Sequence, residues 1–243
     1  MSRKNKNEKP RVLAVTLARG GSKSIKKKNI RNLCGKPLIY YTITEALKSK
    51  YITRYLISTD DKEIQKVAIK LGAEAPFIRP PELSTDTAKA IDADRHALKW
   101  AEENENKKYD FFVELMITNP MKTAYDIDLV IEKLINTNAD SVIGMSKLED
   151  HHPLRIKKII NDKICDFNSM LKEIPETHRQ QLKPDAYIRN GSIYAAKRDL
   201  IIQGIRYGTE NSRPYIMPDH KSINIDTEND FLLAELIMKQ ADE

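Results

Sequence analysis

Short apolar runs alternate with longer stretches of helical period along the first 146 residues of this chain, and that rhythm leaves few folds open. VLAVTLA (12–18) is a continuous apolar run with β-branched members, the pattern of a strand buried on both faces. TRYLISTD (53–60), FFVELMIT (111–118) and SVIGMS (141–146) are further strand candidates, and APFIRP (75–80) is a short one closed by prolines. Between them, 37–50 opens on Pro37, which suits a first helical turn. Residues 62–72 place Ile64, Val67, Ala68 and Leu71 on one helical face, with Gly72 as the stop. Residues 85–104 begin with a Thr/Asp start signal, and 125–137 carry another helical period. Strands alternating with helices predict an α/β fold: a doubly wound, mostly parallel sheet covered on both faces.

The rhythm loosens after residue 147. Residues 148–185 carry scattered prolines and charges and read as an excursion, a pair of long antiparallel strands. Strand character returns at 186–197, and 221–240 reads as a strand, a Thr/Asp-bounded turn and a closing amphipathic helix. A length of 243 residues suits one such domain with an insertion. The expected organisation is a flexible tail over 1–10 and a single domain over 11–243, with 148–185 as its excursion.

The first strand stops at Gly20 and Gly21, and Arg19, Lys23, Lys26, Lys27, Lys28 and Arg31 surround the stop. No Asp or Glu occurs between Lys9 and Thr44, a window with nine Lys and Arg. In a doubly wound sheet, ligands bind beyond the C-terminal ends of the strands. Glycines there let the backbone approach a ligand and turn N–H groups toward it, and the cations add full charge. A phosphate chain is the natural guest, although a plain structural turn also explains the glycines. The stretch matches neither G-x-x-x-x-G-K-[ST] nor G-x-G-x-x-G. A net charge of +6 invites a nucleic-acid reading, but 11–36 contain no Phe, Tyr or Trp to stack on bases. No window is apolar enough for a membrane span, and the N-terminus lacks the apolar stretch of a signal peptide. Cys34 and Cys165 read as free thiols, which fits a cytoplasmic protein.

Near the other end, SINIDTEND places Asp226 at the end of a strand candidate. A carboxylate there, across the sheet from a phosphate loop, is where a hard cation would sit. The alternative is that Asp226 or Thr227 caps the last helix. Asp86 has a similar second reading, as cap of the helix that follows it.

Several of these blocks together resemble the acylneuraminate cytidylyltransferases, including the branch that takes legionaminic-type sugars. The likeness runs from ARGGSKSIKKKNIR through YLISTDDKEI, RPPELSTDTA, SVIGMSKLEDHHPLR and HRQQLKPDAYIRNGSIY to SINIDTENDF. It implies a Rossmann-like nucleotidyltransferase fold and transfer of CMP from CTP to a nine-carbon 2-keto-3-deoxy sugar acid, with Mg²⁺ or Mn²⁺. It also implies a homodimer in which the excursion reaches the neighbour's site. Carried over motif by motif, Arg19, Gly21, Ser22, Lys23, Lys28 and Asn29 would hold the phosphates and ribose of CTP. Arg79, Thr85 and Asp86 would frame cytosine. Met116, Arg155, Arg179, Tyr187, Asn190 and Tyr194 would line the sugar site, Arg155 and Arg179 meeting its carboxylate through their planar forks. Lys23 and Asp226 would be catalytic, and Asp226 with Asn224 would hold the metal. His151 and His152 make a poor metal pair, because adjacent strand residues face opposite ways.

Two departures stand out. Family members often carry a glutamine-proline-threonine-serine-proline block where this chain has MITNPMK, so Met116 replaces a polar residue and points to a less polar, modified sugar. Asn224 stands where a second Asp is usual, which leaves the metal with fewer charged ligands. The competing readings are a cytidylyltransferase for an eight-carbon 3-deoxy-octulosonate, an RNA-binding module, and a nucleotide-binding protein without chemistry.

Overall fold

The computed structural model describes residues 9–148, 151–170 and 178–241. Its centre is β1 (Val12–Leu17), with β4 (Arg54–Ser58) on one side and β5 (Phe111–Leu115) on the other, both parallel to it. β9 (Tyr187–Lys197) pairs antiparallel with β5 and with β6 (Ser141–Lys147), and β10 (Ser212–Ile216) closes the far edge parallel to β6. The order β10-β6-β9-β5-β1-β4 is thus a mostly parallel sheet with one reversed strand.

Helices cover both faces because the central strand is apolar on both. Val12 and Ala14 face the layer of α1 (Leu38–Lys48), α2 (Lys62–Lys70), α4 (Ala124–Asn136) and α6 (Glu228–Ala241). Leu13 and Val15 face α3 (Ala90–Glu105) and α5 (Arg198–Ile202). All four residues are fully buried. Burying an aliphatic side chain contributes about 1.5–3 kcal/mol, so this strand anchors the core. A two-stranded ribbon, β2 (Asn32–Leu33) with β3 (Lys36–Pro37), leads into α1, with Pro37 at the N-cap position and no side-chain capping bond.

Four expectations need correction. Residues 75–80 make one isolated bridge, Ile78 with Thr59, beside a second from Glu74 to Leu56, because Pro76 and Pro80 bring no N–H to a ladder. α3 begins at Ala90, after Lys89 at its N-cap, so Thr85 and Asp86 lie in the preceding loop and Asp86 is not its cap. Residues 222–226 form no strand; the Ile225 N–H donates one bond to the Thr118 carbonyl at 2.7 Å. Among its described residues the excursion's strand pairing is a short hairpin, β7 (Lys157–Ile160) with β8 (Lys163–Asp166), turned at Asn161 and Asp162, both at positive φ. β10 is an addition. Its Pro214 masked it in the sequence, and it survives because an edge strand tolerates the missing donor.

Candidate active site

The parallel strands end at a cleft of about 460 Å³. Its wall is built from the β1–α1 loop, residues 79–90, the end of β5 and Asp226. Eight of the nine residues expected at the nucleotide line it: Arg19, Ser22, Lys23, Lys28, Asn29, Arg79, Thr85 and Asp86. Gly21 lies in the same loop, exposed.

The loop geometry differs from a bare anion nest. The Gly20 N–H donates to Asp60 Oδ1 at 3.1 Å, and the Ser22 N–H to the Gly20 carbonyl at 3.0 Å. Neither glycine has positive φ among the described residues. Gly20 is required for a different reason: a Cβ there would meet Asp61 Oδ2 at 2.7 Å. Asp61 is held in place because its carboxylate caps α2, accepting from the N–H groups of Glu63 and Ile64. Asn29, buried, donates to the Arg19 carbonyl at 2.9 Å and ties the loop down. Asp60 also accepts from Arg79 Nη2 at 3.4 Å, so one carboxylate orients the loop and the guanidinium expected at cytosine. Arg79 is buried, and its Nε donates to Ser84 Oγ at 3.0 Å.

The cations that have no acidic neighbour in sequence acquire one in space. Asp86 meets Arg19 at 2.8 Å and Lys23 at 2.5 Å. Hydrogen bonds from Lys23 and Arg19 hold its carboxyl below the usual range. Lys27 pairs with Glu63 at 2.5 Å, Arg31 with Glu228 at 2.6 Å and Lys28 with Asp226 at 3.2 Å. Ion pairs with a solvent-exposed partner are weak, so an incoming polyanion can displace them cheaply.

Asp226 sits at the rim with its side chain 62% exposed. Its Oδ2 accepts from Asn224 Nδ2 at 2.5 Å. Helix capping belongs to its neighbours: Asp230 accepts from the N–H groups of Asp226 and Thr227, and Thr227 Oγ1 accepts from the Asp230 N–H. Asn224 Oδ1 turns the other way. It is buried without a hydrogen-bond partner and lies 2.6 Å from where a Cβ on Gly191 would stand. Among the described residues no group of three or more His, Cys, Asp and Glu converges as a metal cage. A Mg²⁺ held by one carboxylate and by phosphate oxygens fits Asp226. Asn224 does not fit as its ligand through Oδ1.

The expected sugar residues are not brought together. Met116 lines the cleft. Tyr194 is buried beneath Arg206, whose guanidinium lies 4.4 Å over its ring, and so does not reach the lining. Asn190 is buried, with Nδ2 on Ser222 Oγ at 3.1 Å and Oδ1 against Gly144. Tyr187 and Arg155 are exposed on the excursion and its base, outside the cleft. The side chain of Arg179 lies outside the described residues, although its backbone forms a short 3-10 turn with Gln180 and Gln181. His152 is no metal ligand: Nε2 meets the Pro184 carbonyl at 2.9 Å and Nδ1 accepts from the Leu154 N–H.

Other residues of the site escaped sequence reasoning. Lys122 is buried and donates to Thr42 Oγ1 and to the carbonyls of Met116 and Asn119, at 2.9, 2.6 and 2.5 Å. Burial pulls its ammonium down to about 7. It fixes the β5–α4 loop that carries Met116. Glu114 and Arg206 line the cleft and form a salt bridge, with buried Asp94 behind Arg206. Burial pushes the Asp94 carboxyl up to about 7 against the pull of Arg206 and Arg79. Glu114 was legible as a lone acid inside an apolar strand run; nothing marked Arg206.

A Rossmann-like sheet with a cation-lined cleft at its strand ends defines a nucleotide-binding α/β protein. The cytidylyltransferase family model matches residues 13–235, and the chain belongs to that family. It is 32% identical to the post-translational flagellin modification protein B of Campylobacter coli over 229 residues, 94% of this chain and 95% of that protein. It is 33% identical to the CMP-N,N′-diacetyllegionaminic acid synthase of Legionella pneumophila over 235 residues, 94% of this chain and 97% of that one. Among solved structures, a CMP:2-keto-3-deoxy-manno-octonic acid synthetase complexed with CTP matches with a TM-score of 0.68 at 17% identity, covering 95% of this chain and 99% of that one. That last likeness speaks for the fold. No described helix is long and apolar enough to cross a membrane.

Proposed function

We propose that this cytidylyltransferase transfers CMP from CTP to the anomeric hydroxyl of a nine-carbon 2-keto-3-deoxy sugar acid of the sialic or legionaminic type, in the cytoplasm. The observation that carries the reading is the convergence of Arg19, Lys23 and Lys28 with Arg79 and Asp86 on one cleft. The cations would hold the triphosphate and draw charge toward the leaving pyrophosphate. Arg79, Thr85 and Asp86 would read cytosine, whose amino group needs an acceptor. The sugar oxygen attacks the α-phosphorus, the α–β P–O bond breaks, pyrophosphate leaves, and the hydroxyl proton passes to solvent. Positioning and charge neutralisation by the chain supply most of the acceleration. A bound Mg²⁺ would neutralise phosphate charge beside Asp226, and Lys28 and Asn224 would orient that carboxylate.

The sugar carboxylate would be met by Arg155 and Arg179, reaching from the excursion of a second copy. The arm fits that role because Ile159, Ile164, Phe167 and Met170 on it are exposed. Pyrophosphate release from CTP, Mg²⁺ and a panel of keto-acid sugars tests the reading. Turnover with a nine-carbon acid supports it, and turnover restricted to the eight-carbon octulosonate or absent altogether overturns it. CTP should be preferred over UTP, which leaves the acceptor for the amino group unpaired.

A further inference from the structure

The floor of the cleft holds charged groups besides those assigned to CTP. Arg206 comes from the connection between α5 and β10, Glu114 from β5 and Asp94 from α3. Arg206 lies over the Tyr194 ring at 4.4 Å, its Nη2 is salt-bridged to Glu114, and its Nε is 3.8 Å from an Asp94 oxygen. The Asp94 and Glu114 side chains are 0% and 3% exposed. A guanidinium held between two buried carboxylates has little net charge left for a third anion. It keeps rigid, planar N–H donors. Arg206 Nη1 has no hydrogen-bond partner among the described residues, and Nη2 lies 3.4 Å from Met116 Sδ. The lining therefore sets a neutralised N–H donor, a carboxylate acceptor and a thioether side by side.

We propose that Arg206 and Glu114 determine acceptor specificity by selecting a sugar acid that carries an acylamino group over one with a hydroxyl in its place. The inference rests on the transferase reading above. An amide carbonyl accepts from Arg206, its N–H donates to Glu114, and the acyl methyl meets the Met116 sulfur. A single hydroxyl cannot satisfy both polar partners or cover the sulfur, and buried polar groups left unpaired separate close analogues strongly. The same neutralised pair gives no reward to the sugar carboxylate, which is turned toward the other end of the cleft. Asp94 does not reach the lining. It acts on Arg206 through charge at 3.8 Å, with no hydrogen bond between them.

The test is steady-state kinetics with CTP and two acceptors: N,N′-diacetyllegionaminate or N-acetylneuraminate, and a nine-carbon keto acid bearing only hydroxyls. Wild type should favour the acylamino acid by about 30-fold or more in kcat/KM. Arg206→Met and Glu114→Gln should each cut that preference by about tenfold, through acceptor KM, with CTP KM within about twofold of wild type. Arg206→Lys keeps the charge without the planar fork and should lose the preference too, which covers a Met variant that fails to fold. Full preference in these variants, or an equal rise in CTP KM, overturns the assignment. A wild type active on both acceptors alike overturns this inference alone. A wild type active on neither overturns the transferase reading and this inference with it.

Discussion

The two ends of the cleft are built in opposite ways. The phosphate end comes mainly from one stretch, residues 19–29, and its cations are partly or fully solvent-accessible: the Lys23 side chain is 77% exposed. The floor is assembled from α3, β5 and the segment before β10, and its charges are buried. At the first end function is separable from stability. At the second it is not, because moving a buried charge disturbs the protein that surrounds it.

The largest expected effect tests the rim. Asp226→Asn should lower pyrophosphate release by about 100-fold or more, the range of a lost electrostatic group in catalysis. Its denaturation midpoint should stay within about 0.5 kcal/mol of wild type, as for exposed positions. Full turnover in this variant would show that the carboxylate only anchors Lys28. Asn224→Asp should keep activity and shift the Mg²⁺ dependence of CTP binding, read by calorimetry, to lower concentration.

Next comes Lys23→Ala, expected to weaken CTP by about tenfold, or ~1.4 kcal/mol, in isothermal titration. Thermal unfolding should not move. The comparison breaks if binding holds and stability falls instead.

Gly20→Ala sharpens the contrast from inside the exposed end. The added methyl displaces Asp61, so the cap of α2 and the loop suffer together. A loss of roughly 1–2 kcal/mol in chemical denaturation is expected. No loss would mean that Asp61 can move aside freely.

The last test varies pH and concerns Asp94. Its folded carboxyl titrates near 7, above its unfolded value, so the folded state binds more protons between about pH 4 and 7. Its contribution is complete at low pH and is lost as pH rises toward 7, at up to about 1.4 kcal/mol per unit. Lys122 has the opposite sign of slope: its folded ammonium titrates near 7, below its unfolded value, and stability rises with pH above 7. Asp94→Asn should flatten the acid-side slope alone. An unchanged profile would show that Asp94 does not titrate in that window.

The parallel sheet was legible because burial on both faces writes itself as continuous apolar runs, and Val12 to Val15 do face two layers. The loop of cations was legible for the same local reason: glycines and charges contiguous in the chain stay contiguous in space. Position relative to the sheet then made Arg19, Lys23 and Lys28 sensible choices, and all three line the cleft. The sugar end resisted, because Arg155 is exposed on the excursion and Tyr187 at the start of β9, both outside the cleft, while Tyr194 is covered by Arg206.

What the amino-acid sequence determined by itself was therefore local: periodicity, the glycines that end the first strand, and a basic strip without aromatics. The tertiary structure decided the pairing of charges. Arg31 finds Glu228, Lys28 finds Asp226, and Arg206 finds Glu114 and Asp94 across gaps of about ninety to two hundred residues. Electrostatic energy depends on distance and on the surrounding dielectric, and neither quantity exists until the chain has closed. The strip that stands without an acid from Lys9 to Thr44 becomes, in the fold, a row of weak pairs poised for exchange.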